Sequence, residues 1–177
     1  PSSAAIENKI DTEEISYIQG IKKIIKVRDF ILLGIVAFIG IGVFNGMLNW
    51  LEKILTEVSH LSMQQAGNIS SMLVFSGMIG CIVIPMLSDK IRKRRPFLML
   101  ASLVGTITVI ILIFARGFRV NALNAIIMGF FVVATLPIVL TMSAEIAGEK
   151  FAGIGSAFLQ LLGNGAAVIL VPTIEAL

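Results

Sequence analysis

The chain has 177 residues, of which 56% are hydrophobic and only 14% charged, with a mean hydropathy of +0.95 and a formal net charge of +3. Soluble domains carry about 25% charged residues, so this composition argues against a water-soluble globule, which would need several helices apolar on every side around one small core. The positive balance does not point to nucleic acid, because the cations flank apolar runs, and the single Cys81 excludes an internal disulfide and reads as a small packing residue.

In chain order, Pro1–Glu14 is small, polar and acidic and is expected to be a flexible linker. Ile15–Val27 is amphipathic. Ile15, Ile18, Ile21, Ile24 and Ile25 recur at three or four residues, with Lys22, Lys23 and Lys26 largely opposite. That pattern predicts a helix lying along the inner membrane face; a simple cytoplasmic extension of the first span is the other reading. Five apolar runs follow: Phe30–Trp50, Gly67–Leu87, Pro96–Phe114, Val120–Ala144 and Phe151–Val171. Each has about 20 residues, the length that crosses a hydrocarbon core of roughly 30 Å. Continuous apolar runs, not period-two alternation, select helices over a barrel. The expected fold is an all-α membrane protein with about five transmembrane helices, divided into a linker with an interfacial helix (1–27) and a helical membrane domain (28–177). Pro85, Pro137 and Pro172 fall within or near helix ends, where a membrane tolerates them.

Lysine and arginine set the orientation. Lys9, Lys22, Lys23, Lys26 and Arg28 precede the first span, Lys90, Arg92, Lys93, Arg94 and Arg95 separate the second and third, and Lys150 separates the fourth and fifth. Of the 14 cations only Lys53, Arg116 and Arg119 fall on the other side. The cation-rich side is therefore expected in the cytoplasm of a cell or inner membrane. The linker-like start, the odd number of spans and the stop near the end of the fifth create the expectation of a piece of a larger protein.

The loop Ser88-Asp89-Lys90-Ile91-Arg92-Lys93-Arg94-Arg95-Pro96-Phe97 holds five cations and one carboxylate. Topology alone explains the cations but does not require the acid. This loop resembles the signature loop of the major facilitator superfamily, G-x-x-x-D-[RK]-x-G-[RK]-[RK]. Asp89 matches the acid, Lys90 the first cation, and Lys93 and Arg94 the later pair. Pro85 and Arg92 stand where the family has glycine, as in the weaker copy of the motif in the second half of these transporters. Two further stretches are similar to the family's loops. They are the outer loop His60–Gly67 and the inner loop Glu145–Gly155. The segment before the first span looks like the helix joining the two halves. The resemblance covers nearly the whole chain and implies helices seven to eleven of a twelve-helix bundle. It implies as partners a small-molecule substrate, the lipid bilayer and the N-terminal half of the same transporter, with no nucleic acid and no cofactor. It also implies that the Asp89 loop reaches to the other half and locks the cytoplasmic side. Lys90, Lys93, Arg94, Arg95 and Glu145 are its companions, and Arg94 or Arg95 is a candidate partner for Glu145.

Amides within apolar spans need a reason. Asn45 and Asn49 lie in the outer half of the first span, Ser76 near the middle of the second, Asn124 and Thr135 in the fourth, and Gln160 and Asn164 at i and i+4 in the fifth. The third span carries only Ser102, Thr106 and Thr108 between Phe97 and Phe114, as a lipid-facing helix would. In the family the seventh, eighth, tenth and eleventh helices line the central cavity and the ninth is peripheral, so this distribution agrees with the resemblance. Asn45, Ser76, Asn124, Gln160 and Asn164 are the candidate cavity-lining residues. Hydrogen bonding between helices is the competing use of each. Gly42 and Gly46 are spaced for close helix approach. No span interior carries an ionisable side chain, and nothing matches a metal site or a nucleophile with its base, so no enzyme is expected. The function expected is secondary transport of a small solute by alternating access. A channel, or a membrane-embedded interaction protein without a transport cycle, is the alternative.

Overall fold

The computed structural model describes residues 20–148 and 151–175, with side chains described to residue 169. The expected linker, Ile15 and Ile18 of the amphipathic segment, and the loop cation Lys150 lie outside the described residues. The described residues form helices and no strands: α1 Arg28–Glu57, α2 Met63–Ile91, α3 Arg95–Phe114, α4 Phe118–Met128, a π-helical turn Gly129–Val133, α5 Thr135–Ala147 and α6 Ala152–Glu175. Five stretches are long and apolar enough to cross a membrane: α1, α2, α3, the continuous run Phe118–Ala147, and α6 over Ala152–Ile169. Residues 20–24 add a short helical turn before α1.

The helices overrun their apolar cores because local chemistry ends them. Helix α2 starts at a capping box: Ser62 Oγ accepts from the Gln65 N–H at 3.3 Å, and Gln65 Oε1 accepts from the Ser62 N–H at 3.1 Å. It ends where Arg92 turns left-handed, at φ 56°. Pro96 then sits in the first turn of α3, where a missing N–H costs nothing. The connection is thus three residues long, and it places Asp89 and Lys90 in the last turn of α2 and Arg95 in the first turn of α3.

The fourth span is broken by the π-helical turn, which the even apolar run did not foreshadow. Pro137 brings no N–H to the carbonyl four residues before it, that of Val133, and Cys81 Sγ approaches that oxygen at 3.5 Å. The same turn lies hard against α2. An added Cβ on Gly80 would overlap the Phe130 carbonyl, and one on Gly129 would overlap the Leu73 carbonyl and Ser76 Oγ. Glycine is required at both positions by backbone approach alone.

Packing divides the bundle. Helix α1 packs most extensively on α6, and α2 on the fourth span. Toward one end, Leu51, Leu55, Ile69, Leu73, Leu112 and Met128 form a core; toward the other, Phe30, Leu33, Ile41, Val139 and Leu159 form a second. Helix α3 packs mainly on the fourth span, and only 17% of its apolar window is buried, against 33% for α1, α2 and the fourth span. It is the peripheral helix of the described bundle.

Candidate functional site

The α1–α6 contact carries the first candidate site. Gly163 packs against Ile41, so the two backbones run close, and Gly42 and Gly46 are buried on the same helix as Ile41. One turn further, Asn45 Nδ2 donates to Asn164 Oδ1 at 3.1 Å across the contact. Asn164 Nδ2 donates to the Gln160 carbonyl at 2.9 Å, and Asn49 Nδ2 to the Asn45 carbonyl at 2.8 Å. Asn49, Gln160 and Asn164 are exposed and Asn45 is half-buried. The Gln160 side-chain amide and Asn45 Oδ1 make no hydrogen bond among the described residues, so a donor group and two acceptor oxygens remain for a ligand. The structure thus brings Asn45, Gln160 and Asn164 together on an open face.

Ser76 and Asn124 do not join them. Ser76 is buried, donates to the Leu73 carbonyl at 2.9 Å and faces Gly129 of the fourth span. Asn124 is buried and donates to the Thr108 carbonyl of α3 at 2.9 Å. Both therefore lie in contacts within the bundle. Sequence reasoning missed a third set: Asn121, 1% exposed, donates to Ser59 Oγ at 3.1 Å and to the Gly117 carbonyl at 3.0 Å, while Ser59 Oγ donates to the Ala115 carbonyl at 3.1 Å. The available signal was the i, i+3 spacing of Asn121 and Asn124, which puts two amides on one helix face. Their two Oδ1 atoms are buried without a partner among the described residues.

The second candidate site is the charged connection. Arg94 Nη2 lies 2.7 Å from Glu145 Oε1 on α5 and 3.1 Å from Asp89 Oδ1 at the end of α2. One guanidinium thereby ties three elements together: α2, the start of α3, and α5. Lys90, Arg92, Lys93 and Arg95 make no ion pair among the described residues. The Arg94 side chain is 19% exposed, but Asp89 and Glu145 are 61% and 57% exposed, so solvent screens both contacts to about 0.2–1 kcal/mol each. A cleft of about 570 Å³ opens beside them. No cluster able to hold a metal ion occurs among the described residues.

Comparison with known proteins agrees with this architecture. The model of the Major Facilitator Superfamily matches residues 2–172. An uncharacterized protein of Archaeoglobus fulgidus is 34% identical over 155 residues, covering 88% of this chain and 71% of that protein. An uncharacterized MFS-type transporter of Caenorhabditis elegans is 27% identical over 165 residues, and a choline/ethanolamine transporter of Danio rerio 23% identical over 159. These alignments cover 90% and 88% of this chain but only 28% and 33% of the relatives' length.

Proposed function

The chain belongs to the major facilitator superfamily, and we propose on that premise that it forms the second-half bundle of a secondary transporter that moves a small polar solute by alternating access. Family membership and the transporter-named relatives support membrane transport in general. The reading of a solute site rests on one observation: the Asn45–Asn164 amide bridge, with Gln160 beside it, stands on an open face of α1 and α6 in otherwise apolar spans. In transporters of this kind solute sites lie near the bilayer midplane between pseudo-symmetric halves. The opposite wall would come from the N-terminal half of the same transporter. Amides offer dipoles without fixed charge, which suits a solute held by hydroxyl or amine groups. The zebrafish relative's named substrates, choline and ethanolamine, each carry a hydroxyl group.

The cation-rich connection is read as cytoplasmic by the positive-inside rule. There the Asp89–Arg94–Glu145 triad holds α2, α3 and α5 as one unit that meets the other half when the cytoplasmic side closes. The test uses the full-length protein in proteoliposomes. Gln160→Met and Asn164→Leu should each reduce uptake about tenfold, the equivalent of one hydrogen bond to solute, with thermal stability retained. Normal uptake by both variants would refute the site.

A further inference from the structure

The cleft beside the triad has its own chemistry. Arg92, Lys93 and Arg95 line it together with Arg94, against Asp89 and Glu145. Arg94 is held by both carboxylates. The other three cations share the same space with no carboxylate at ion-pair distance among the described residues. Grouped like charges raise a positive potential that attracts an anion. The backbone adds to it. Left-handed Arg92 folds the connection back on itself, and the first turn of α3 opens with no side-chain cap, leaving its partial positive charge available.

The surface next to the cleft is apolar. Pro96 and Met142 line its wall, and α3 continues from it with Met99, Leu100, Leu103 and Ile107 exposed at 71, 44, 59 and 46%. A small inorganic anion would meet only the cations. An amphiphile with an anionic head would meet both surfaces, the cations at the cleft and the apolar side of α3 along its tails. We infer that this cleft binds the phosphate headgroup of an acidic phospholipid, whose acyl chains lie along α3. The inference requires only that the helices are embedded in a bilayer and stands apart from the solute site.

The experiment measures lipid retention by native mass spectrometry on the full-length transporter in neutral detergent, titrated with phosphatidylglycerol or phosphatidylcholine. Phosphatidylglycerol should be retained preferentially. The triple variant R92Q/K93Q/R95Q should bind it about a hundredfold more weakly. The triple variant K53Q/R116Q/R119Q removes the same charge from the opposite ends of the helices and should bind it as wild type does. The double variant D89N/E145Q frees Arg94 for the headgroup and should strengthen binding about tenfold; it keeps every cation, so it still decides the matter if the first triple fails to insert. Equal retention of the two lipids, equal loss in the two triples, or no gain in D89N/E145Q would overturn the inference. Displacement of the lipid by an equal concentration of inorganic phosphate would assign the cleft to a soluble anion and overturn it as well.

Discussion

The same side chain serves two ends in this bundle. Asn121 and Asn124 of α4 are 1% and 5% exposed and donate to fixed partners: Ser59 Oγ and the Gly117 carbonyl for one, the Thr108 carbonyl for the other. Asn164 and Gln160 of α6 are exposed, and Asn164 bonds across the helices, to Asn45. The first pair closes the contact between α4, α3 and the loop after α1; the second leaves hydrogen-bonding capacity on an open face. What separates a packing amide from a candidate ligand is therefore where its remaining donors and acceptors point, and residue type carries no information on that.

Four variants would break or sharpen this contrast. The largest effect is expected on transport, from Asn45→Leu combined with Asn164→Leu. Uptake should fall by about a hundredfold, the loss of two solute contacts at about tenfold each, while the melting temperature changes little because both groups are solvent-accessible. A melting temperature that collapses together with uptake would make the bridge a packing element like Asn121.

Asn121→Leu should do the reverse. It removes two hydrogen bonds, those to Ser59 Oγ and to the Gly117 carbonyl, at a cost of about 0.5–1.5 kcal/mol each. Thermal unfolding in detergent should show the loss, and uptake per folded molecule should stay at the wild-type value.

Asn124→Leu removes a single helix–helix bond and should cost about 0.6–2 kcal/mol, again without affecting solute affinity. A raised KM in that variant would return Asn124 to the solute site and dissolve the contrast.

The smallest effect belongs to the charged end. Asp89→Asn keeps the cation count, so insertion should survive, and the screened contact it removes allows a shift of at most about fivefold between inward-open and inward-closed forms. Labelling of cysteines placed in the inner cavity should rise by that factor. No change in labelling would leave the loop as a topology signal alone.

The helices were legible in the sequence because burial in lipid demands long apolar runs, and no other element satisfies its own backbone there. Phe30–Trp50 and Gly67–Leu87 lie inside α1 and α2, and the longer ends of α2 come from the Ser62–Gln65 box and the left-handed turn at Arg92. The peripheral position of α3 was legible too, since Phe97–Phe114 contains no amide to place against a neighbour. The third set of polar contacts was not. Asn121 sits at the end of an apolar run, and its partner Ser59 comes from a loop 62 residues earlier, a pairing that near-neighbour spacing does not show.

The sequence by itself determined the class of the protein, the number of spans, the clustering of charge at one end and the family motif, because each depends on composition and near-neighbour spacing. The tertiary structure decided the rest. Amides on separate helices meet only through the packing of those helices. Close approach at Gly80, Gly129 and Gly163 sets which faces turn inward. Through it Asn45 reaches Asn164 on an open face, and Ser76, whose Oγ an added Cβ on Gly129 would overlap, is enclosed. The π-helical turn is a tertiary feature as well: it lies against α2, Pro137 brings no N–H to the Val133 carbonyl, and Cys81 of α2 donates to that oxygen at 3.5 Å.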